Sequence, residues 1–500
     1  MKTIRKFISR DVARHVCTSI VAAMFILPAC SDYLDIVPDK NMTLESIFSL
    51  REQASNALAS VYSYMPDDSK RTSRWLLGDE WIQPTGVTYT AANTEWPTIR
   101  IMERRMAADV PYLGTWSGTG GGKKLYEGIG MCNVLIDRID GVQDMSASEK
   151  IDWKAQAKFL KAYYHFLLLQ QYGPIVLMDK AISPNDDLAT MFVVRSKIDD
   201  CFDYIVKTID EAIPALAMRR EGAELGKIDR LGASAIKARV LLYRASPFYS
   251  GNGNYNNFYD ADKVPFFPQD DDATTKVKWQ DALTAITDAI TLCEANGVAM
   301  YKYENRVLQV DQDDYNANRD IMQTYYDLRM VICDQWNKEQ IWSCSNVAAN
   351  DQDIFSDGNI MLPAQAKMPG FQGATYAARN NPKYSQQWLG ATYKTLERYY
   401  TRNGLPLNED TTFHDERKLD ITRTPASTDP EYARTRGILR PDAETINLYL
   451  NRELRFYANV GITGGYWRAY SWRINSDFYR SEPGGQVSAY PNNSFLTAIG

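Results

Sequence analysis

The chain has 500 residues, with 45% hydrophobic and 24% charged residues and a net charge of -6. That balance supports a large buried core and excludes disorder as the main state. No Lys/Arg cluster follows the first few residues, so the electrostatic footprint of a nucleic-acid binder is missing and nucleic acid is not expected as a partner.

The N-terminus carries Lys2, Arg5, Lys6, Arg10 and Arg14, then the apolar run TSIVAAMFILPA and Cys30. A positive segment before a short apolar core reads as a secretory signal. Leu27-Pro28-Ala29-Cys30 is similar to a bacterial lipobox. Residues 1–29 are therefore expected to be a lipoprotein signal peptide and Cys30 the lipidated residue, leaving a soluble body on a lipid anchor. Five body cysteines, Cys132, Cys201, Cys293, Cys333 and Cys344, contain no C-x-x-C pair and read as buried thiols, with neither a zinc site nor a disulfide framework indicated.

Residues 65–122 form the first of several long irregular stretches; the others are 248–278, 343–390 and 401–440. Within the first, GTWSGTGGGKKLY invites comparison with a phosphate-binding loop. It fails the Walker frame at both ends, because Ser117 stands where the first Gly belongs and Lys124 where Ser or Thr should hold Mg²⁺. A flexible loop entering a helix at KLYEGIGMCNVLIDRI is the expectation. Further helices are predicted at WKAQAKFLKAYYHFLLLQQYGP, DDCFDYIVKTIDEAIPAL, LGASAIKARVLLYRASP and KWQDALTAITDAITLCEANG. In the last, Trp279, Ala282, Leu283, Ile286, Ala289, Ile290 and Cys293 make one apolar stripe for packing. Small and large apolar residues recur partly in the tetratricopeptide spacing, and a single amphipathic pair cannot bury its own face, so stacked pairs are expected.

Several segments in order resemble the SusD/RagB family of surface glycan-binding lipoproteins: CSDYLDIVPDK, Trp116 with LYEGIGMCNVLIDRI, AKFLKAYYHFLLLQQYGPIVLMDK, IDEAIPAL, ASAIKARVLLYRASPFYSGN, KWQDALTAITDAI, EQIWSC, LGATYKTLERYYTRNGLPL and NRELRFYANV. In that frame the glycine-rich stretch is an insertion between Trp116 and Leu125. Gly390-Ala391-Thr392 departs from the family's usual Pro-Thr. The family's further C-terminal helical region is also not found before Gly500. The resemblance implies a mainly α fold of tetratricopeptide-like helix pairs with long irregular loops and a few short strands. It implies an N-terminal SusD-like region over 30–245 and a C-terminal SusD/RagB region over 246–500, incomplete at its end.

The same resemblance implies a carbohydrate-binding protein of the outer membrane, lipid-anchored and facing the cell exterior. Its implied partners are an oligosaccharide or polysaccharide and a SusC-like TonB-dependent transporter, with no cofactor. Exposed rings beside polar side chains suit sugars. RWLLGDEWIQPTGVTYTAANTEWPTIR supplies Trp81, Tyr89 and Trp96 at the position where the family carries ligand aromatics, and the region before EQIWSC supplies Tyr326 and Trp336. Trp116 and Trp342 are assigned to packing. No catalytic or metal-ligating residue is expected: His165 reads as packed, neither H-E-x-x-H nor G-x-S-x-G occurs, and nothing selects a carboxylate pair. Capture of peptides or glycopeptides by the same architecture, a surface glycoside hydrolase and a purely structural lipoprotein are the alternatives.

Overall fold

A computed structural model describes residues 48–67, 77–82, 101, 104–181, 187, 192–304, 312–334, 336–343, 390–462 and 464–466. The expected signal peptide, Cys30 and Cys344 lie outside the described residues. No described helix is long and apolar enough to cross a membrane.

Six longer helices come first: α1 (Arg51–Ser63), α2 (Leu125–Arg138), α3 (Ala147–Tyr172), α4 (Ile198–Ala212), α5 (Arg230–Ala245) and α6 (Asp272–Ala295). Local chemistry sets their starts. Ser146 and Glu149 close a capping box on α3, Asp229 accepts the Gly232 N–H at 2.8 Å to start α5, and Asp271 accepts the Thr274 N–H at 2.8 Å to start α6. Gly173, at φ 71°, ends α3 in a conformation that glycine tolerates best. From α2 onward, each helix packs on the next in the chain. This is the mainly α, tetratricopeptide-like arrangement expected from the periodicity.

Their common core gathers Phe159, Phe166, Phe202, Leu125, Ile129 and Ile205, and reaches as far along the chain as Phe267. Three cysteines, Cys132, Cys201 and Cys293, are buried and free, and burial pushes the Cys201 thiol up to about 12. Cys333 ends a later helix.

α6 departs from its expected face. Ala282, Ala289 and Cys293 are buried, whereas Trp279, Leu283 and Ile290 are 43%, 57% and 52% exposed. The small side chains let α5 approach closely, with Leu241, Ala245 and Ala282 in one cluster, so the larger residues of the stripe point away. A shallow apolar hollow of about 380 Å³ results between Leu242, Ile286, Ile290 and Met300.

The glycine-rich stretch is hydrogen-bonded rather than loose. Leu113 N–H donates to Gly120 O at 3.0 Å, and Gly114 N–H to Thr119 O at 2.9 Å. A Cβ on Gly120 would stand 2.3 Å from Pro111 O, so backbone packing, not phosphate, explains that glycine. Lys123 donates to Ser63 O at 2.9 Å.

A second core spans Tyr301 to Ile462 and draws on α7 (Gln312–Ala317), α8 (Arg319–Cys333), α9 (Tyr393–Glu397) and α11 (Leu454–Asn459), with the short α10 (Tyr432–Thr435) outside it. Two short antiparallel pairs accompany it. In the first, β1 (Trp81–Ile82) meets β2 (Gly390–Ala391) with Trp81 opposite Ala391; in the second, β3 (Ile421–Arg423) meets β4 (Glu444–Ile446) with Thr422 opposite Thr445. Thr392 N–H donates to Glu80 O at 3.0 Å, and Lys394 pairs with Asp79 at 2.5 Å, extending the first pair.

His165 is packed, as expected from YYHFLLL. It is fully buried in α3, with Nδ1 2.8 Å from Lys161 O and Nε2 accepting the Met178 N–H at 3.1 Å. An Nε2 that accepts carries no proton, so Nδ1 is the donor and the ring is neutral. Burial lowers its pKa from 6.5 to about 4. The unfolded chain therefore binds this proton first as pH falls. Stability complete above pH 6.5 is expected to drop by about 3 kcal/mol on approaching pH 4. Denaturant titrations across that window should give His165→Gln a shallower acid limb than the parent, and parallel limbs would contradict the assignment.

Candidate functional site

After α8 the chain folds back on the helix end through its own side chains. Asn337 Nδ2 donates to Val331 O at 2.7 Å and Asp334 O at 2.8 Å, while the Gln340 amide oxygen accepts from Trp336 N–H at 2.9 Å and from the Ser343 hydroxyl at 3.0 Å. This network holds Trp336 at φ 55°, a left-handed conformation unusual for a bulky residue, with 38% of the residue exposed. Such strain costs about 1 to 3 kcal/mol and persists only where surrounding contacts enforce it.

The facing wall comes from residues 219–229 of the first core. Arg220 is fixed there by a bidentate pair with Asp152 at 2.9 and 2.7 Å and by Ile228 O at 3.1 Å. Lys227 pairs with Glu224 at 2.8 Å. Burial raises the pKa of Asp229, against the opposing pull of its bond from Gly232. Trp342 ties the walls together: its indole N–H donates to Gly226 O at 3.0 Å and its ring meets Phe159 and Tyr163 edge-on at 5.7 and 5.6 Å. Trp116 likewise packs edge-on against Tyr126 and Tyr172. Both indoles have the structural roles expected of them.

Between the walls lies a recess of about 80 Å³ bordered by Arg219, Lys227, Trp336, Asn337, Gln340 and Ser343. Enclosed small-molecule pockets run to roughly 300 Å³ or more. The arrangement is therefore an open edge: one exposed indole beside amide, hydroxyl and cationic groups, able to stack on an apolar ring face and to hydrogen-bond its rim.

The other expected positions are distributed differently. Tyr326, in α8, is only 5% exposed, and its ring lies 4.8 Å from Tyr303 and 5.5 Å from Tyr325. The strand of Trp81 is joined to the second core through β2. Tyr89 and Trp96 lie outside the described residues. Arg219 and Lys227 were not anticipated, since they enter the recess from more than a hundred residues upstream; Asn337 and Gln340, adjacent to Trp336 in the chain, were legible as polar neighbours.

Residues 32–242 match a SusD-like family described as starch-binding and associating with outer membrane. A curated protein of Bacteroides ovatus named "SusD-like protein" is 25% identical over 238 residues, which is 45% of this chain and 39% of that protein. The chain thus spans about two fifths of the curated relative it matches. Among solved structures, one named BT4246 has a TM-score of 0.62 at 22% identity, covering 90% of this chain and 72% of its own. A SusD-like protein from Bacteroides fragilis has a TM-score of 0.51 at 18% identity, covering 83% of this chain and 61% of its own. At such identities the superpositions establish the fold.

Proposed function

We propose, on the premise that this chain belongs to the SusD-like family, that it is a carbohydrate-binding protein of the outer membrane that captures its ligand without changing it chemically. The observation that carries the reading is Trp336, held exposed in a strained backbone conformation beside Asn337, Gln340 and Arg219. In the finer form of the proposal, Cys30 bears the lipid, the chain faces the cell exterior, and captured oligosaccharide passes to a SusC-like TonB-dependent transporter. Trp81, Tyr89 and Trp96 are proposed to add rings to the platform.

Calorimetric titration of a chain starting after Cys30 against plant, host and microbial oligosaccharides tests this. Binding to one glycan class is expected, and Trp336→Ala should weaken it by about 1 to 3 kcal/mol while the far-ultraviolet circular dichroism stays unchanged. A folded protein that binds no glycan, or one that releases reducing ends from its ligand, would overturn the reading.

A further inference from the structure

The second core contains a larger hollow, of about 490 Å³, that shares no lining residue with the Trp336 recess. Its apolar floor includes Ile321, Ile438, Leu439 and Tyr457, and its rim carries Arg402, Arg423 and Arg434. The positive charges there are incompletely matched. Arg402 takes the Glu431 carboxylate at 2.6 Å, and Arg434 reaches the same oxygen only at 3.9 Å, so one carboxylate serves two guanidinium groups. Arg423 donates to Asp442 O at 2.9 Å and has the Asp442 carboxylate at 3.6 Å, with both side chains largely exposed. Beneath them, the buried Arg452 also lines the hollow, and its side-chain hydrogen bonds run to backbone carbonyls.

Two other acidic groups line the hollow. Asp429 accepts the Glu431 N–H at 2.8 Å, and Glu453 is paired with Arg455 at 2.8 Å. The forks of Arg423 and Arg434 therefore retain donors at the mouth of a cavity whose floor would receive an apolar ring face. A planar guanidinium matches a carboxylate through two parallel N–H bonds, a match that a neutral hydroxyl cannot reproduce.

We propose that this hollow is a second saccharide site, one that takes the carboxylate of an acidic sugar unit through Arg423 and Arg434. It rests on the carbohydrate-binding reading and specifies the ligand's charge. The test compares calorimetric binding of a galacturonate oligosaccharide with that of a neutral galactose oligosaccharide of equal length, using the parent, Arg423→Gln/Arg434→Gln and Trp336→Ala. The parent is expected to prefer the acidic chain by about tenfold or more. The double variant should lose that preference and keep its affinity for the neutral chain, while Trp336→Ala should weaken both ligands and retain the preference. Both arginines are exposed at the rim, so melting temperatures should be unchanged. Equal affinity of the parent for the two sugars, or a preference that survives the double substitution, would overturn the second site while leaving the carbohydrate reading standing. Binding of neither sugar, nor of any other glycan, would remove both.

Discussion

Arg452→Ala is expected to destabilise the protein by about 3 to 5 kcal/mol, because several buried carbonyls lose a charged donor at about 1 to 3 kcal/mol each, partly offset by relaxation. The side chain is almost wholly buried, with the residue 3% exposed. Its guanidinium donates to Leu448 O at 2.7 Å, Tyr399 O at 2.8 Å, Tyr400 O at 3.4 Å and also Leu396 O, and its carbon centre lies 4.4 Å from the Phe456 ring centroid. Those carbonyls belong to the end of α9, the turn after it and the segment before α11, which also meet through a single antiparallel bridge between Thr401 and Arg452 and the Arg402 N–H to Asn451 O bond at 2.8 Å. The arginine side chain reinforces that main-chain joint from the buried side. Burial lowers its pKa to about 10, so it remains charged at neutral pH. Alanine would take the guanidinium donor from Leu396, Tyr399 and Leu448 O, while Tyr400 O keeps the Glu453 N–H at 3.1 Å, and each orphaned group costs about 1 to 3 kcal/mol before relaxation. Lysine should recover less than half of the loss, because one ammonium cannot span donors spread across a planar fork. Urea unfolding at neutral pH checks both variants; an alanine variant within about 1 kcal/mol of the parent would mean that water satisfies the cluster.

Lys278→Met should cost a similar amount, about 3 to 5 kcal/mol, by a different route. Lys278 Nζ lies 2.9 Å from Asp199 Oδ1 and 2.5 Å from Asp270 Oδ2, and the Ser250 hydroxyl donates to Asp270 at 2.7 Å. The side chains of Lys278 and Asp270 are 6% and 7% exposed, while Asp199 is partly solvated and also has Arg244 at 3.6 Å. Removing the ammonium strands Asp270, with the hydroxyl as its remaining donor in this group. The sign with pH is distinctive: protonating a stranded carboxylate relieves it, so the deficit of Lys278→Met should shrink as the solution is acidified. Lys278→Met/Asp270→Asn should recover much of the loss. If the single variant shows the same deficit at neutral and acid pH, lost packing of the lysine stem is the cause instead.

The contrast between these two sites and the helices around them shows what could be read from the chain. The long helices were legible because period and caps agree, as with Ser146 and Glu149 before the apolar run of α3. The buried face of α6 was not, because Ala282 and Leu283 both fit a stripe of this period. Only the close approach of α5 selects the small residue. Strands of two residues have no period at all, so β1 and β2 could not be anticipated. Tyr326 looked like a ligand aromatic from its place before EQIWSC, yet Met322, Arg329 and Met330, at helical spacing around it, are all buried with it. Trp336 was legible as an exposed-ring candidate; the far wall of its recess was not, because Trp342 meets Gly226 across 116 positions of sequence.

The β1–β2 pairing has a bearing on the order in which the molecule assembles. Thr392 bonds to Asp79 O across 313 positions, and the strands beside them close the same interval. Pairings so distant in sequence form slowly, and the earlier strand stays unpaired until the later segment has arrived and folded back. The helices of the first core need no such wait, since each packs on its neighbour in the chain. The edge bearing Trp81 is therefore expected to be fastened late, with the Lys394–Asp79 ion pair as part of the clasp.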